Sequence, residues 1–315
     1  MFRKYIMDSS EFKNYITSKR PTLSKSSVNT YGSILRSLHR QLQGTDEVDP
    51  SFFENSQLIF DHLKEVPPSK RKTVLSALVI ITDGDEQKKY RELMMDDIGS
   101  HRKEIELQKK TPQQEQNWVT RDEIEKKYKL YEKQAAALFK KDKLTNKEIQ
   151  QYQQFVILAL LGGKHIVPRR AKDYVDMKIR GDIDKDKDNY IDKKALVYNS
   201  YKTAKTYGKQ TVALPTKLKN ILNKWMLINP SDYLLIDSNM QPLGGPDQSA
   251  NGAVKLNQRI GRIFDKKAGV NILRHSYLTE KFGDTIQRNK QIDSTMRDMG
   301  SSKSMLSTYV KEDSD

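Results

Sequence analysis

Leu273-Arg274-His275-Ser276-Tyr277, then Met299-Gly300-Ser301-Ser302, then Tyr309-Val310 are the stretches on which the reading of this chain turns. The arginine lies in a helical run, and a tyrosine follows it thirty-five residues later in a short terminal segment. A guanidinium presents paired N–H donors that match two oxygens of a phosphate. A phenolic oxygen placed near it points to chemistry on that phosphate.

The overall charge points the same way. Among 315 residues, 56 Lys and Arg face 41 Asp and Glu, a formal net charge of +15. Such a surplus favours a polyanionic partner, and double-stranded DNA is the first expectation. The alternative is a lysine-rich protein with no special partner. Cysteine is absent, which removes disulfides, thiolate metal sites and thiol nucleophiles. Five scattered histidines suggest no metal centre, and no cofactor is expected. Met1 to Asp8 lacks the apolar core of a signal peptide, and the longest apolar run, Phe155 to Leu161, is too short to span a bilayer. A soluble, intracellular protein with no membrane partner is expected.

The pattern predicts a mainly α chain with a small antiparallel β-sheet, divided near residue 112 into an all-helical domain (1–112) and an α+β domain (113–315). In the first, helices are expected from residue 9 to 43 in two pieces, with Ser9 or Ser10 and then Ser24 or Ser26 as caps, followed by Phe52 to Leu63 and Ser69 to Ile81. Lys25, Arg36 and Arg40 fall on the polar face of the second helix. Lys70, Arg71 and Lys72 crowd the first turn of the fourth, where positive charge opposes the helix dipole and needs another reason to be there. A DNA backbone would supply one; a solvated basic face is the plainer reading. Residues 88–108 read as an exposed helix and 111–116 as a linker.

Thr120-Arg121-Asp122-Glu123 opens the second domain as a capping box. Helices are expected at 121–140 and 145–163, short strands at 190–191, 195–201 and 211–214, and helices again at 216–228, 253–267 and from 271 onward. Four features there could carry chemistry. In Pro168-Arg169-Arg170-Ala171-Lys172-Asp173-Tyr174, Arg170 and Asp173 share a helical face, so the carboxylate would orient that guanidinium. Ser200 to Lys209 would put Lys202, Lys205 and Lys209 at the tip of a β-ribbon. Arg274 with His275 is the third, and Tyr309 the fourth. Taken singly, each also fits an ordinary surface or packing role. Asp184-Lys185-Asp186-Lys187-Asp188-Asn189-Tyr190-Ile191-Asp192 looks like the start of a calcium loop, but Asn189 and Ala195 replace the glycine and glutamate that such a loop needs, so a solvated turn is expected.

In order and spacing these features resemble the tyrosine recombinase (phage integrase) family, over nearly the whole chain. Arg170 falls on the family's first catalytic arginine, Asp173 on the acidic residue after it, Arg274 on the second arginine and Tyr309 on the nucleophile. Lys205 falls best on the hairpin lysine, with Lys202 as its rival. Asn271 stands where the family has histidine, and Ser301 where it has histidine or tryptophan. The resemblance implies a helical core-binding domain and an α+β catalytic domain around duplex DNA, a homo-oligomer (a tetramer on DNA), and cutting and rejoining through a covalent 3′-phosphotyrosine. The Pro-Arg-Arg-x-x-Asp-Tyr and Tyr-Lys-Thr motifs are similar to those of mobile elements and large DNA viruses. A type IB-like topoisomerase, or a DNA-binding protein that has lost cleavage, shares the same residues and stays open.

Overall fold

The computed structural model describes residues 6–138, 140–245 and 249–311. The chain divides into two compact units, Met1–Lys110 and Thr111–Asp315.

The first unit is a bundle of helices: α1 (Ser9–Lys19), α2 (Lys25–Gln43), α3 (Ser56–Leu63), α4 (Pro68–Ile81) and α5 (Gly84–Glu106). Asp8 caps α1 in place of Ser9 or Ser10. Its carboxylate accepts from the backbone N–H groups of Ser10 and Glu11, at 2.6 and 2.8 Å, and Glu11 accepts in return from the Asp8 N–H. A carboxylate there also meets the positive end of the helix dipole, which a hydroxyl does not. Ser24 caps α2 through the N–H of Ser27, and Gly44, at φ 74°, ends it. The helix expected from Phe52 to Leu63 is broken in two. A 3₁₀ turn covers Pro50–Glu54, and Asn55 then caps α3 by accepting from the Leu58 N–H. Phe12, Ile16, Leu35, Phe53, Ile59, Leu75 and Leu78 form the core. α5 starts earlier than its apolar pattern suggests and inserts Tyr90, whose buried hydroxyl donates to the Phe53 carbonyl at 2.8 Å.

The second unit is α+β. Thr111 and Gln114 form a capping box around a short helix, α6 (Pro112–Asn117), where the sequence reading expects a linker. α7 (Arg121–Leu138) begins at the Thr120–Glu123 box, and α8 (Asn146–Leu161) at a second one made by Thr145 and Glu148. Residues 155–161 of α8 are all buried, so this helix is the axis of the core. Each large aliphatic side chain hidden there contributes about 1.5–3 kcal/mol.

After α9 (Ala171–Val175) come β1 (Met177–Lys178), β2 (Asn189–Ile191), β3 (Ala195–Tyr198), a one-turn helix α10 (Ala204–Tyr207) and β4 (Gln210–Ala213). The sheet order is β1-β2-β3-β4, with β2–β3 and β3–β4 antiparallel and β1 added parallel to β2. α11 (Thr216–Ile228), α12 (Ser249–Phe264), α13 (Val270–Asp298) and α14 (Leu306–Tyr309) follow. The protein is thus mainly helical, with one small sheet. α12 lies so close to α9 that a Cβ on Gly252 would sit 2.6 Å from Val175 Cγ1 and 2.1 Å from the Leu243 carbonyl oxygen. Among the described residues, no helix is long and apolar enough to cross a membrane.

Candidate active site

The start of α9 decides how the two neighbouring arginines are used. Arg170 is the N-cap residue, extended at φ −71° and ψ 154°, and its carbonyl accepts from the Asp173 N–H at 3.1 Å. Because Arg170 lies outside the helix, the shared helical face expected for it and Asp173 does not exist. Asp173 is taken by Arg169 instead, whose Nε donates to Oδ2 at 3.0 Å. The same guanidinium donates to Gln210 Oε1 at 2.6 Å, and its carbon lies 4.0 Å from the Tyr198 ring centre and 4.9 Å from that of Tyr201. Asp173 is 2% exposed. Burial raises its pKa above the usual carboxylate range, against the pull of Arg169.

With its neighbour ion-paired to the carboxylate, Arg170 acts on Asp173 only through its charge and its backbone. Arg274 lies near the start of α13. Leu273 and Ser276 turn inward and fix the helix, which leaves Arg274 half-buried and His275 exposed. α13 has no side-chain cap of its own; Asn257 of α12 accepts from the Val270 N–H at 2.9 Å and sets its start. The Arg274 guanidinium loses proton affinity, first because it is buried and next because the Arg170 guanidinium is near, with Asp173 opposing. Among the described residues its side-chain hydrogen bond is to Asn271 Oδ1, at 3.4 Å. Among the described residues neither Arg170 nor Arg274 forms an ion pair. Arg169, Arg170 and Arg274 thus share the field of one carboxylate, Asp173, a local surplus of positive charge that suits an anion such as phosphate.

The lysines lie on the connection from β3 to β4. The ribbon tip expected there is replaced by α10 and a turn at Gly208, φ 64°, because Ala204 and its neighbours close one helical turn instead of pairing across. Lys202, Lys205 and Lys209 are all exposed on it. The Tyr201 hydroxyl donates across the base to the Gly208 carbonyl at 2.6 Å. In the expected calcium-like turn, Asp184 is paired with Lys187 and Asp188 with Lys178. Among the described residues no three acidic or histidine side chains are grouped to hold a metal ion.

α13 ends in a Schellman turn: Ser301 N–H reaches the Met296 carbonyl at 2.7 Å, Gly300 N–H reaches that of Arg297, and Gly300 has φ 70°. Ser301 is half-buried beside that turn. Tyr309 closes α14, is 56% exposed, and its hydroxyl has no partner among the described residues. Thus Arg274 lies near enough to Arg170 to feel its charge, and among the described residues no hydrogen bond or ion pair joins the Tyr309, Ser301 or His275 side chain to either.

Among solved structures the chain is similar to one described as "Crystal structure of XerA recombinase", at 14% identity and a TM-score of 0.33, over 96% of this chain and 99% of that one. No family model matches the chain, and no curated protein does.

In the first unit, two of the six basic residues assigned to DNA are turned inward. Arg71 is held by both oxygens of Asp97, at 2.9 and 2.7 Å, with Asp97 3% exposed. That buried carboxylate, 26 residues away, is the reason for a positive charge in the first turn of α4. Arg36 is half-buried and donates to Ser9 Oγ at 2.6 Å. Arg40 is exposed beside Asp46, at 3.3 Å, Lys72 is half-buried, and Lys25 and Lys70 face solvent.

Proposed function

We propose that this chain cuts and rejoins DNA in the manner of a tyrosine recombinase, with its second unit catalytic and its first unit gripping the duplex. The observation that carries the reading is the local surplus of guanidiniums, in which Arg274 feels the charge of Arg170 while the buried Asp173 is ion-paired to Arg169. In a phosphodiester the negative charge on the non-bridging oxygens grows on the way to the transition state, and donors aimed there in advance stabilise it.

The reaction then runs in balance. Tyr309 Oη forms a bond to phosphorus and gives its proton to solvent, while the bond from phosphorus to the 5′ oxygen breaks. The leaving oxygen takes a proton from a lysine of the β3–β4 connection, Lys205 with Lys202 as rival, and the DNA end stays on the enzyme as a 3′-phosphotyrosine. Reversal rejoins the strand with no external energy source. Asn271, already bonded to Arg274, keeps that guanidinium turned toward the phosphate, and Ser301 supplies a hydroxyl where the resembling family has a ring nitrogen. The exposed position of Tyr309 fits a nucleophile delivered when DNA is bound and subunits assemble.

The absence of both histidines favours one other reading, a DNA-binding protein of the same build that no longer cleaves. Incubation with a pool of randomised duplexes, each carrying a nick that lets the cut fragment diffuse away, separates the two. A covalent adduct that survives denaturant and is lost in Tyr309→Phe supports cleavage. An adduct that persists in Tyr309→Phe moves the nucleophile elsewhere, and none at all leaves the binding protein.

A further inference from the structure

The segment that carries the lysines is tied at both ends to Asp173 of α9, the helix that Arg170 precedes. At its start, Asn189 is 1% exposed and uses its whole amide: it accepts from the N–H groups of Asn199 and Ser200, at 2.9 and 2.8 Å, and donates to the Ser200 carbonyl at 2.7 Å and to the Asp173 carbonyl at 3.4 Å. At its base, Arg169 lies over the rings of Tyr198 and Tyr201 and reaches Gln210 on the returning strand while holding Asp173 on α9. Tyr201 ties the two sides of the segment through Gly208. Lys202 and Lys205 therefore project from a closed loop rather than a free one.

We propose that Arg169 is a positioning residue that sets the lysine-bearing connection against α9, so that the proton donor and Arg170 address one phosphate. This deepens the cleavage reading and rests on it. A planar guanidinium suits the role: it stacks on aromatic rings while its edge supplies two directed donors, to Asp173 and to Gln210. A lysine at 169 would keep the charge against Asp173 and lose the stacking and the second arm. The loop would then be free to shift, while Asp173 stays paired.

The measurement is single-turnover adduct formation on two versions of a substrate recovered from the randomised pool, one with the ordinary bridging 5′ oxygen and one with sulfur in its place. A thiolate leaves without a proton, so sulfur relieves defects that act through the lysine and no others. Arg169→Lys should slow the ordinary substrate by about 10²-fold, the scale of a general acid moved by an ångström. It should react with the sulfur substrate nearly as fast as the unaltered protein does, whereas Arg274→Ala stays slow on both. Gln210→Leu and Tyr201→Leu each remove one arm and should show the same pattern more weakly; they carry the test if Arg169→Lys does not fold. An Arg169→Lys defect of equal size on both substrates overturns the proposal, because Arg169 would then act on Arg170 or on the fold alone.

Amide hydrogen exchange of residues 199–209 reads the same tie without any reaction. Faster exchange confined to that segment in Arg169→Lys supports it, and unchanged exchange overturns it. If the unaltered protein forms no adduct on any substrate, the cleavage reading fails by itself, and the exchange result still decides whether Arg169 holds the connection.

Discussion

Arg71 in the first unit and Arg274 in the second are both partly buried arginines on helices, and their surroundings have opposite effects. Arg71 meets both oxygens of Asp97, and the hydrogen bonds to that carboxylate raise its proton affinity. Arg274 meets burial and then a second guanidinium, and its proton affinity falls. The first arrangement completes a fold. The second sets like charge near like at a half-buried position, which a fold alone has little reason to do. Burial of an arginine says little about its use; the sign of its neighbours says much more.

The comparison breaks first at Arg71, where the largest effect is expected. Arg71→Ala leaves Asp97 buried and unpaired, and should destabilise the first unit by about 3–5 kcal/mol in denaturant titration. A loss near zero would mean that Asp97 is not held as described. Next is Arg274→Ala, which should slow adduct formation by about 10²–10³-fold, the scale for one lost oxyanion donor. Arg274→Lys should recover little of it, since an ammonium cannot make the paired contact. Full activity in Arg274→Ala would remove the arginine pair from the mechanism.

A smaller effect sharpens the first-unit side. Lys25→Gln and Lys70→Gln, both at exposed positions, should each lower the slope of log affinity against log salt by about 1 if they neutralise a phosphate. Arg36→Gln should leave the slope unchanged, because its guanidinium is turned to Ser9. Equal slopes in all three variants would leave the basic face merely solvated.

The smallest concerns a surface pair that does what Arg71–Asp97 does in the interior. Lys141, then the Thr145 backbone N–H, hold the Glu148 carboxyl down at about 2. Its folded pKa lies below its unfolded one, so the contribution is present above the ordinary carboxylate range and lost as pH falls from there toward about 2. Amide exchange in the first turn of α8 should accelerate over that window, and Glu148→Gln should remove the pH dependence. Acceleration at the same pH in Glu148→Gln would assign it to another group.

The helices were legible because their apolar periods are long and a cap such as Thr120 with Glu123 is local, declared within four residues. α6 was missed because Pro112 to Gln116 offers no apolar face, and only the Thr111–Gln114 box holds it. β1 has two residues and exists through its parallel partner. The site was legible in its residue types and not in its pairings. Whether Asp173 takes Arg169 or Arg170 depends on the single residue at which α9 begins, since i to i+3 and i to i+4 both look reasonable in Pro-Arg-Arg-Ala-Lys-Asp. An arginine four residues before a carboxylate was the available sign for Arg169. Asn189 gave none, because a lone asparagine next to an acidic turn looks solvated, and Asp97 lies too far along the chain to be read as the partner of Arg71.

If Arg170 and Arg274 lie near one another for an anion and not for the fold, the unliganded protein should not need Arg274 for its stability. Arg274→Gln removes one charge of the pair while keeping a hydrogen-bonding side chain. Its unfolding midpoint in denaturant should equal that of the unaltered protein or exceed it, because a repulsion has been relieved. A fall as large as that of Arg71→Ala would contradict the account and make Arg274 a structural residue.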